Sequence, residues 1–152
     1  MRARILIVAA LFAACGATAA AAREPDVIYV PTPQDLVEDM LRLADVKRGD
    51  VLYDLGSGDG RIPVTAAGKY GIRAVGIDID PERIREAHAN AKRKGVAKLV
   101  TFRRQDLFTA DFREATVVTL YLLPDLNLKL RPQLLRQLRP GTRVVSHQFD
   151  MG

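Results

Sequence analysis

A glycine-rich turn is the first feature of this sequence whose residue types and spacing can do chemistry. Residues 54–60 follow the pattern D-x-G-x-G-x-G, between a predicted strand and a predicted helix. Glycines permit positive φ and let the backbone approach a ligand closely, and the free amides that open the next helix favour a carboxylate or phosphate. A tight turn needs glycine even without a ligand, so that alternative stays open for this pattern alone. The predicted ligand-contacting residues here are Asp54, Gly56, Ser57, Gly58, Asp59 and Gly60.

Two further acids add to this turn. Asp78 ends the second predicted strand and Asp106 follows the third, so both are expected at the same edge of a parallel sheet as the turn. An acid after the second strand can accept hydrogen bonds from ribose hydroxyls, and one after the third can accept from an adenine amino group. Together with the turn they predict a nucleoside that carries a zwitterionic or anionic tail. The neighbouring Ile79 and Leu107 complete the predicted site.

Alternating elements must position these residues. Apolar and β-branched runs predict strands at 51–55, 74–77, 99–102, 116–122 and 143–146, and helical spacing predicts helices at 33–44, 62–70, 81–94 and 126–138. Thr32 is the predicted N-cap of the first helix, and Pro132 predicts a kink or a break in the last. This alternation is typical of an α/β fold with a doubly wound, Rossmann-like parallel sheet.

The turn and the two acids resemble the class I S-adenosylmethionine (SAM)-dependent methyltransferase family, over roughly residues 29 to 149. The resemblance implies that Asp54 and residues 56–60 hold the methionine end of SAM, Asp78 the ribose and Asp106 the adenine. The Leu-Arg-Pro-Gly turn at 138–141 is similar to the one that precedes the fifth strand in this family.

A closer resemblance concerns the methyl acceptor. Residues 29–32 (Tyr-Val-Pro-Thr), 54–62 and 141–146 are similar to the group that contains the mitochondrial ATP synthase c-subunit lysine methyltransferase. That resemblance implies a protein lysine as acceptor and hence a protein partner. The Tyr-Leu-Leu-Pro sequence at 121–124 departs from what the group leads us to expect on the acceptor side.

Missing residues narrow the chemistry. No D/N-P-P-Y sequence follows the fourth strand, which argues against amino methylation of DNA bases, and the predicted domain has no cysteine to attack cytosine. Cys15 is the only cysteine, which excludes a cysteine-rich zinc site, and no metal is expected. His147 is either a base or a histidine with local hydrogen bonds, and Tyr121 either lines the acceptor channel or belongs to the core. No catalytic base is assigned.

Two other functions remain open. A nicotinamide-dependent oxidoreductase would also use Asp78 for a ribose, although Arg61 stands where G-x-G-x-x-G has its third glycine and Asp106 would have no role. An inactive nucleoside-binding domain is the second alternative, because SAM is made in the cytoplasm and an exported enzyme would need a supply. A nucleic-acid partner is not expected: the net charge is +5, and the basic residues at 92–94 and 103–104 are typical of a solvated surface.

The N-terminal residues differ from the rest. Arg2 and Arg4 precede an apolar run at 5–14 and small residues at 17–22, the order of a secretory signal peptide. Lipid attachment at Cys15 and an uncleaved membrane anchor are the alternatives. We therefore expect residues 1–22 to be a signal peptide or anchor, an exported (periplasmic) or membrane-anchored protein, and possible membrane association through this segment.

The methyltransferase domain is predicted to span residues 23–152. The resemblance leads us to expect about seven strands, and residue 152 comes just after the fifth. We therefore expect a sheet truncated after the fifth strand, with that strand at an exposed edge.

Overall fold

The computed structural model describes residues 29–152, so the predicted leader at residues 1–22 lies outside the described part of the chain. The strands are β1 (Val51–Leu55), β2 (Arg73–Asp78), β3 (Val100–Arg104), β4 (Val117–Leu120) and β5 (Arg143–Ser146). The helices are α1 (Gln34–Leu43), α2 (Arg61–Tyr70), α3 (Pro81–Arg93) and α4 (Pro124–Gln137), with a short 3₁₀ helix at Leu107–Thr109.

The five strands form one parallel sheet in the order β3-β2-β1-β4-β5. The register places Asp54 opposite Gly76 on β2 and opposite Thr119 on β4. The chain leaves β1 in one direction to build β2 and β3, and then returns to place β4 on the other side of β1. The strand order therefore reverses between β1 and β4, where folds of this kind bind ligands beyond the carboxyl ends of the strands. The predicted fold class is confirmed.

Each face of the sheet has its own apolar layer. On one face Leu52 and Val117 pack with buried residues of α1, α2 and α3. On the other face Tyr53 and Leu120 pack with α4 and with the segment between β3 and β4. Because alternate strand residues point to opposite faces, these strands are apolar on both sides, as buried parallel strands are. The helices of the two layers cover both faces of the central strands, and in folds of this kind a ligand binds beyond the carboxyl ends of the strands.

The start and end of α3 follow local rules that the sequence already indicates. Asp80 is the N-cap, and its carboxylate accepts a 2.7 Å hydrogen bond from the backbone N–H of Glu82. Pro81 occupies the first helical position, and Gly95 follows the helix with a φ of +71°. These contacts set where the chain turns after Asp78, and so hold the end of β2 in place.

One local prediction is wrong. Thr32 does not cap α1: Pro33 is at the N-cap position with no side-chain cap, and Thr32 Oγ1 lies 3.3 Å from His147 Nδ1. Of the two alternatives for Pro132, the structure excludes the break, because α4 runs as one helix from 124 to 137, and the kink stays a prediction. Pro132 lies on the exposed side of the helix, where water can satisfy the carbonyl that has lost its N–H partner.

The strand β5 pairs only with β4 among residues 29–152, so it is the outer strand on its side of the sheet. The expected additional strands stay a prediction. No helix within this described range combines the length and the apolar character that crossing a membrane requires.

Candidate cofactor and active site

The turn after β1 is built from backbone geometry that glycine allows. Gly56, Gly58 and Gly60 have φ values of +85°, +52° and +73°. The amides of Gly56 and Ser57 both donate to the carbonyl of Ile77, at 2.9 and 3.0 Å. These two bonds tie the turn to the end of β2 and bring it beside Asp78.

All three glycines also lack room for a side chain, and at two of them the obstacle is a residue that lines the cavity. A Cβ on Gly58 would lie 2.3 Å from Cε2 of Tyr29, and one on Gly56 would lie 2.9 Å from Cδ2 of Leu122. The Tyr29 ring therefore covers the turn from one side. Leu122, just after β4, closes it from the other.

Asp54, at the centre of the sheet edge, is an unusual carboxyl group. It is 3% exposed, and the hydroxyl of Thr119 donates to its Oδ1 at 2.7 Å. Burial raises the pKa of Asp54 to about 7, and the nearby charges of Asp78 and Asp59 act in the same direction against the Thr119 bond. A bound cation would favour the ionised form of this group.

Asp78 is held at the end of β2 by backbone amides. Its Oδ2 accepts from the N–H of Gly58 at 2.8 Å, and its Oδ1 accepts from the N–H of Asp80 at 2.9 Å. Burial raises the pKa of Asp78 and the charge of Asp80 adds to this, although the backbone hydrogen bonds oppose it. The geometry links the turn directly to the acid that was predicted to bind ribose.

Asp106 lies beyond the end of β3. Its Oδ1 accepts a 2.9 Å bond from the amide of Phe108 and so caps the short 3₁₀ helix that begins at Leu107. This cap fixes the direction of the chain as it leaves β3. Leu107 and Phe108 consequently face the same space as Asp78.

A cavity of about 580 Å³ opens at this edge of the sheet. All of the predicted site residues except Gly60 line it. Gly60 instead packs behind the turn: a Cβ there would lie 2.5 Å from the Phe102 ring and 2.8 Å from the Cβ of Ala87. Glycine is required at position 60 because any side chain there would overlap residues of β3 and α3. Contact between the other predicted residues and a cofactor stays a prediction.

A segment that was not predicted to belong to the site forms one wall of the cavity. Residues 29–32 cross it, and Arg61 donates from Nη1 to the carbonyl of Thr32 at 2.8 Å. Arg61 also donates to both carboxylate oxygens of Asp59, from Nε to Oδ1 at 3.0 Å and from Nη2 to Oδ2 at 2.7 Å. The guanidinium of Arg83 lies 4.7 Å from the centre of the Tyr29 ring. The resemblance at 29–32 marked this segment, but no local pattern indicated that it folds back over the turn.

The carboxylate of Asp59 is therefore already paired with Arg61 within the protein. Burial by itself would raise the pKa of Asp59, but the hydrogen bonds and charge of Arg61 outweigh burial and hold this pKa below its usual range. The pair anchors residues 29–32 to the turn, which gives Asp59 a structural contact besides its place in the wall.

The structure separates the two candidates on the acceptor side. Tyr121 lines the cavity, whereas His147 lies outside it, behind Tyr121, with the two ring centres 3.9 Å apart. Burial lowers the pKa of His147. His147 thus supports the ring of Tyr121 and has no direct access to the cavity.

The residues present fit SAM. The cavity volume lies in the range of small-molecule sites, roughly 300–1,000 Å³. The hydroxyl of Ser57 is buried beside Gly76 without a hydrogen-bond partner among the described residues, whereas Gly56 and Gly58 line the cavity with backbone that carries no side chain. Asp54, Asp78 and Asp106 lie along the strand ends, and residues 29–152 contain no cluster of side chains able to hold a metal ion.

Comparison with known proteins decides the family. A model of the ANTKMT methyltransferase domain matches residues 54–152, which include the turn and both strand-end acids. The chain belongs to this methyltransferase family. This confirms the resemblance and the SAM-dependent class, and it sets aside the nicotinamide-dependent alternative.

Relatives within and beyond this family are similar over most of the chain. A protein-lysine N-methyltransferase from Saccharolobus islandicus is 49% identical over 84% of this chain and 80% of its own length. The human lysine N-methyltransferase of the ATP synthase c-subunit is 34% identical over 80% of this chain and 51% of its own length. The chain thus spans about half the length of the human relative.

Two solved structures are similar and contain S-adenosylhomocysteine (SAH). One is described as an RNA methyltransferase from Salinibacter ruber, with 65% identity, a TM-score of 0.80, and coverage of 81% of this chain and 80% of the other. The other is a SAM-dependent methyltransferase from Geobacter sulfurreducens, with 29% identity, a TM-score of 0.67, and coverage of 76% and 47%. SAM is accordingly the cofactor, as predicted.

Proposed function

We propose that this protein transfers a methyl group from SAM to the side-chain nitrogen of a lysine in a protein substrate. The observation that carries the proposal is the arrangement of the cavity. The glycine turn and the acids Asp78 and Asp106 share one cavity with Tyr121 and Leu122 at the end of β4. The residues proposed to bind the cofactor thus share the cavity with residues that can contact a methyl acceptor. The names of the archaeal and human relatives support lysine as the acceptor.

The residues of the wall have distinct proposed roles toward the cofactor. Asp78 accepts from the ribose hydroxyls, and Asp106 with Leu107 contacts the adenine. The amides of Gly56, Ser57 and Gly58 are already bonded to Ile77 and Asp78, so the positive end of α2 attracts the methionine carboxylate. Asp54 faces the positively charged amine from inside the sheet.

When bound, SAM supplies an activated methyl group on a sulfonium. The neutral lysine nitrogen attacks the methyl carbon, the carbon–sulfur bond breaks with its electrons going to sulfur, and SAH and a protonated methyl-lysine leave. The chain must align the amine and remove its proton. Leu122, Leu126 and Phe108 give the cavity an apolar section that favours a neutral amine over an ammonium ion. Alignment alone contributes up to about 7–11 kcal/mol in the best cases.

RNA is the second candidate acceptor, because the Salinibacter ruber protein that is 65% identical is described as an RNA methyltransferase. The two candidates make opposite predictions for one experiment. The full-length protein is incubated with SAM labelled in its methyl group, in one arm with a protein extract and in another with total RNA. Label in a protein band that mass spectrometry assigns to lysine supports the proposal. Label confined to RNA would refute it.

The Asp78→Asn variant is the control for the cofactor site in both arms. It removes the charge that holds the amides of Gly58 and Asp80 while keeping the size of the side chain. We expect label to disappear at ordinary SAM concentrations. Label that persists unchanged would remove Asp78 from the site, whichever acceptor is used.

The proposed location is outside the cytoplasm or at a membrane. The support is the sequence of residues 1–22 alone, with its positive residues, apolar run and small residues. Residues 23–152 would then be the mature methyltransferase domain. Mass spectrometry of the mature N-terminus tests this: a cleaved end near residue 19 or 22 supports export, and an intact Met1 contradicts cleavage.

A further inference from the structure

The outer face of α4, the side turned away from the sheet, carries a stripe of exposed apolar residues. Leu128 is 49% exposed and Leu135 is 74% exposed, and Pro124 and Pro132 are also exposed. Steps of four and seven residues return to the same side of a helix, so these residues share one face. The buried residues Leu130 and Leu134 lie on the opposite side. The helix therefore has two apolar sides: the sheet covers one, and on the other Gly152 lies beside Leu128 and Arg131 while Leu135 stays open.

Positive charges flank this stripe. Lys129, Arg131 and Arg136 lie on the exposed side of α4, and Arg139 follows the helix end. Asp125 is the only acidic residue of the helix. None of the four cations forms an ion pair with any residue of the described range, whereas Arg83, for example, is paired with Glu86 at 2.8 Å. The α4 face thus combines exposed leucines with charges that the protein leaves unneutralised.

This face adjoins the cavity. Leu123 is 49% exposed and directly follows the wall residue Leu122. The Nζ atom of Lys129 lies 4.2 Å from the centre of the ring of Phe108, which also lines the cavity. A partner that lies on the α4 face would therefore reach the rim of the active site.

We propose that the outer face of α4 docks onto the anionic surface of a lipid bilayer, independently of the N-terminal segment. A helix with leucines in the middle and cations on both sides is suited to the boundary between headgroups and acyl chains. The cations attract anionic headgroups, and the leucines become buried. A nucleic acid would use the cations, but it would gain little from leucines, because surfaces that bind single strands present aromatic rings for base stacking.

A comparison within the chain shows why the leucines alone do not define the surface. Leu43, at the end of α1, is 79% exposed. Its neighbours Arg42 and Lys47 are paired with Asp39 and Asp45, so the charge around it is balanced. Position 43 is therefore a matched control for position 135: both are highly exposed leucines, but only the latter lies among unpaired cations.

The test reports the environment of each position, so it works even if residues 1–28 also bind membranes. In the full chain with Cys15→Ser, a cysteine is introduced by Leu135→Cys or by Leu43→Cys and labelled with the fluorophore NBD. Mixed phosphatidylcholine–phosphatidylserine vesicles should shift the emission to shorter wavelength at 135 and not at 43, and phosphatidylcholine vesicles should shift neither. No shift at 135, or an equal shift at 43, overturns the proposal. A shift at 135 with polyuridylate and none with vesicles would overturn it in favour of a nucleic acid.

Charge variants complete the test with the same probe at 135. Arg131→Gln with Arg136→Gln should raise the concentration of anionic vesicles needed for half of the shift by roughly thirtyfold. Lys94→Gln with Lys98→Gln removes the same charge from the region after α3 and should change it by less than about threefold. Equal effects of the two pairs would contradict a docking surface on α4. Glutamine is a good helix former, so α4 remains intact, which thermal unfolding verifies.

Discussion

The variant Asp54→Asn is expected to be more stable than the wild-type protein at neutral and alkaline pH. Asp54 is 3% exposed, and burial raises its pKa from 3.8 to about 7, with the charges of Asp78 and Asp59 adding to the effect. Asparagine can keep the 2.7 Å bond from the Thr119 hydroxyl through its carbonyl oxygen. A pKa difference of this size corresponds to roughly 4 kcal/mol between the two protonation states.

Whether the unfolding free energy rises or falls with pH depends on whether the folded or the unfolded state binds the proton of Asp54 more tightly. The folded-state pKa of Asp54 is above its unfolded value, so the folded protein holds the proton where the unfolded chain has released it. This contribution to the unfolding free energy is fully present below about pH 4 and is lost as the pH rises through about 7. The variant does not titrate there. Its stability advantage over the wild type should therefore grow with pH, by up to about 4 kcal/mol.

Urea unfolding of both proteins without cofactor, between about pH 5 and 8, measures this difference. Asp50→Asn is a matched control, since Asp50 is also buried. Burial would raise the pKa of Asp50, but the Lys47 amide, the Thr116 hydroxyl and Arg143 outweigh it and lower this pKa. Asp50 therefore stays ionised over the whole range, and Asp50→Asn should reduce stability by a nearly constant amount. If the wild-type and Asp54→Asn stabilities run parallel with pH, Asp54 has an ordinary pKa and the reasoning is refuted.

Three further outcomes test other parts of the site. Gly60→Ala should lower the unfolding free energy by about 2–4 kcal/mol in urea titrations, because its Cβ would overlap the Phe102 ring at a φ of +73°; an unchanged midpoint would contradict this packing. Asp78→Asn should weaken SAH binding on the order of a hundredfold by calorimetry, through lost charge-assisted hydrogen bonds to the ribose; wild-type affinity would exclude that contact. Thr119→Val should cost about 1–3 kcal/mol of stability, with a larger loss at high pH, because ionised Asp54 loses its donor; a loss that does not vary with pH would show that the bond does not serve the charged form.

Much of the site follows from residue type and order. Parallel strands place their carboxyl ends at one edge, so a residue such as Asp78 or Asp106 that ends or follows a strand must join the turn after β1. The caps and breaks around α3 depend on contacts between residues close in the chain, and Asp80 and Gly95 indicate them correctly. Such caps and breaks involve residues only a few positions apart, so the sequence indicates them without knowledge of the tertiary structure.

Other features depend on contacts between distant residues, which no local pattern reveals. Gly60 belongs to the same turn as Gly58, but it faces Phe102 on β3 while Gly58 faces Tyr29. Thr32 suits an N-cap, yet its hydroxyl lies beside His147, more than a hundred residues away. The sequence by itself determined the fold class and the end of the sheet at which the predicted site residues gather, and through its family resemblance it indicated the cofactor. Only the tertiary structure decided which of the glycines line the cavity, what covers the turn, and that Asp54 is buried deeply enough to raise its pKa to about 7, because burial is a property of packing.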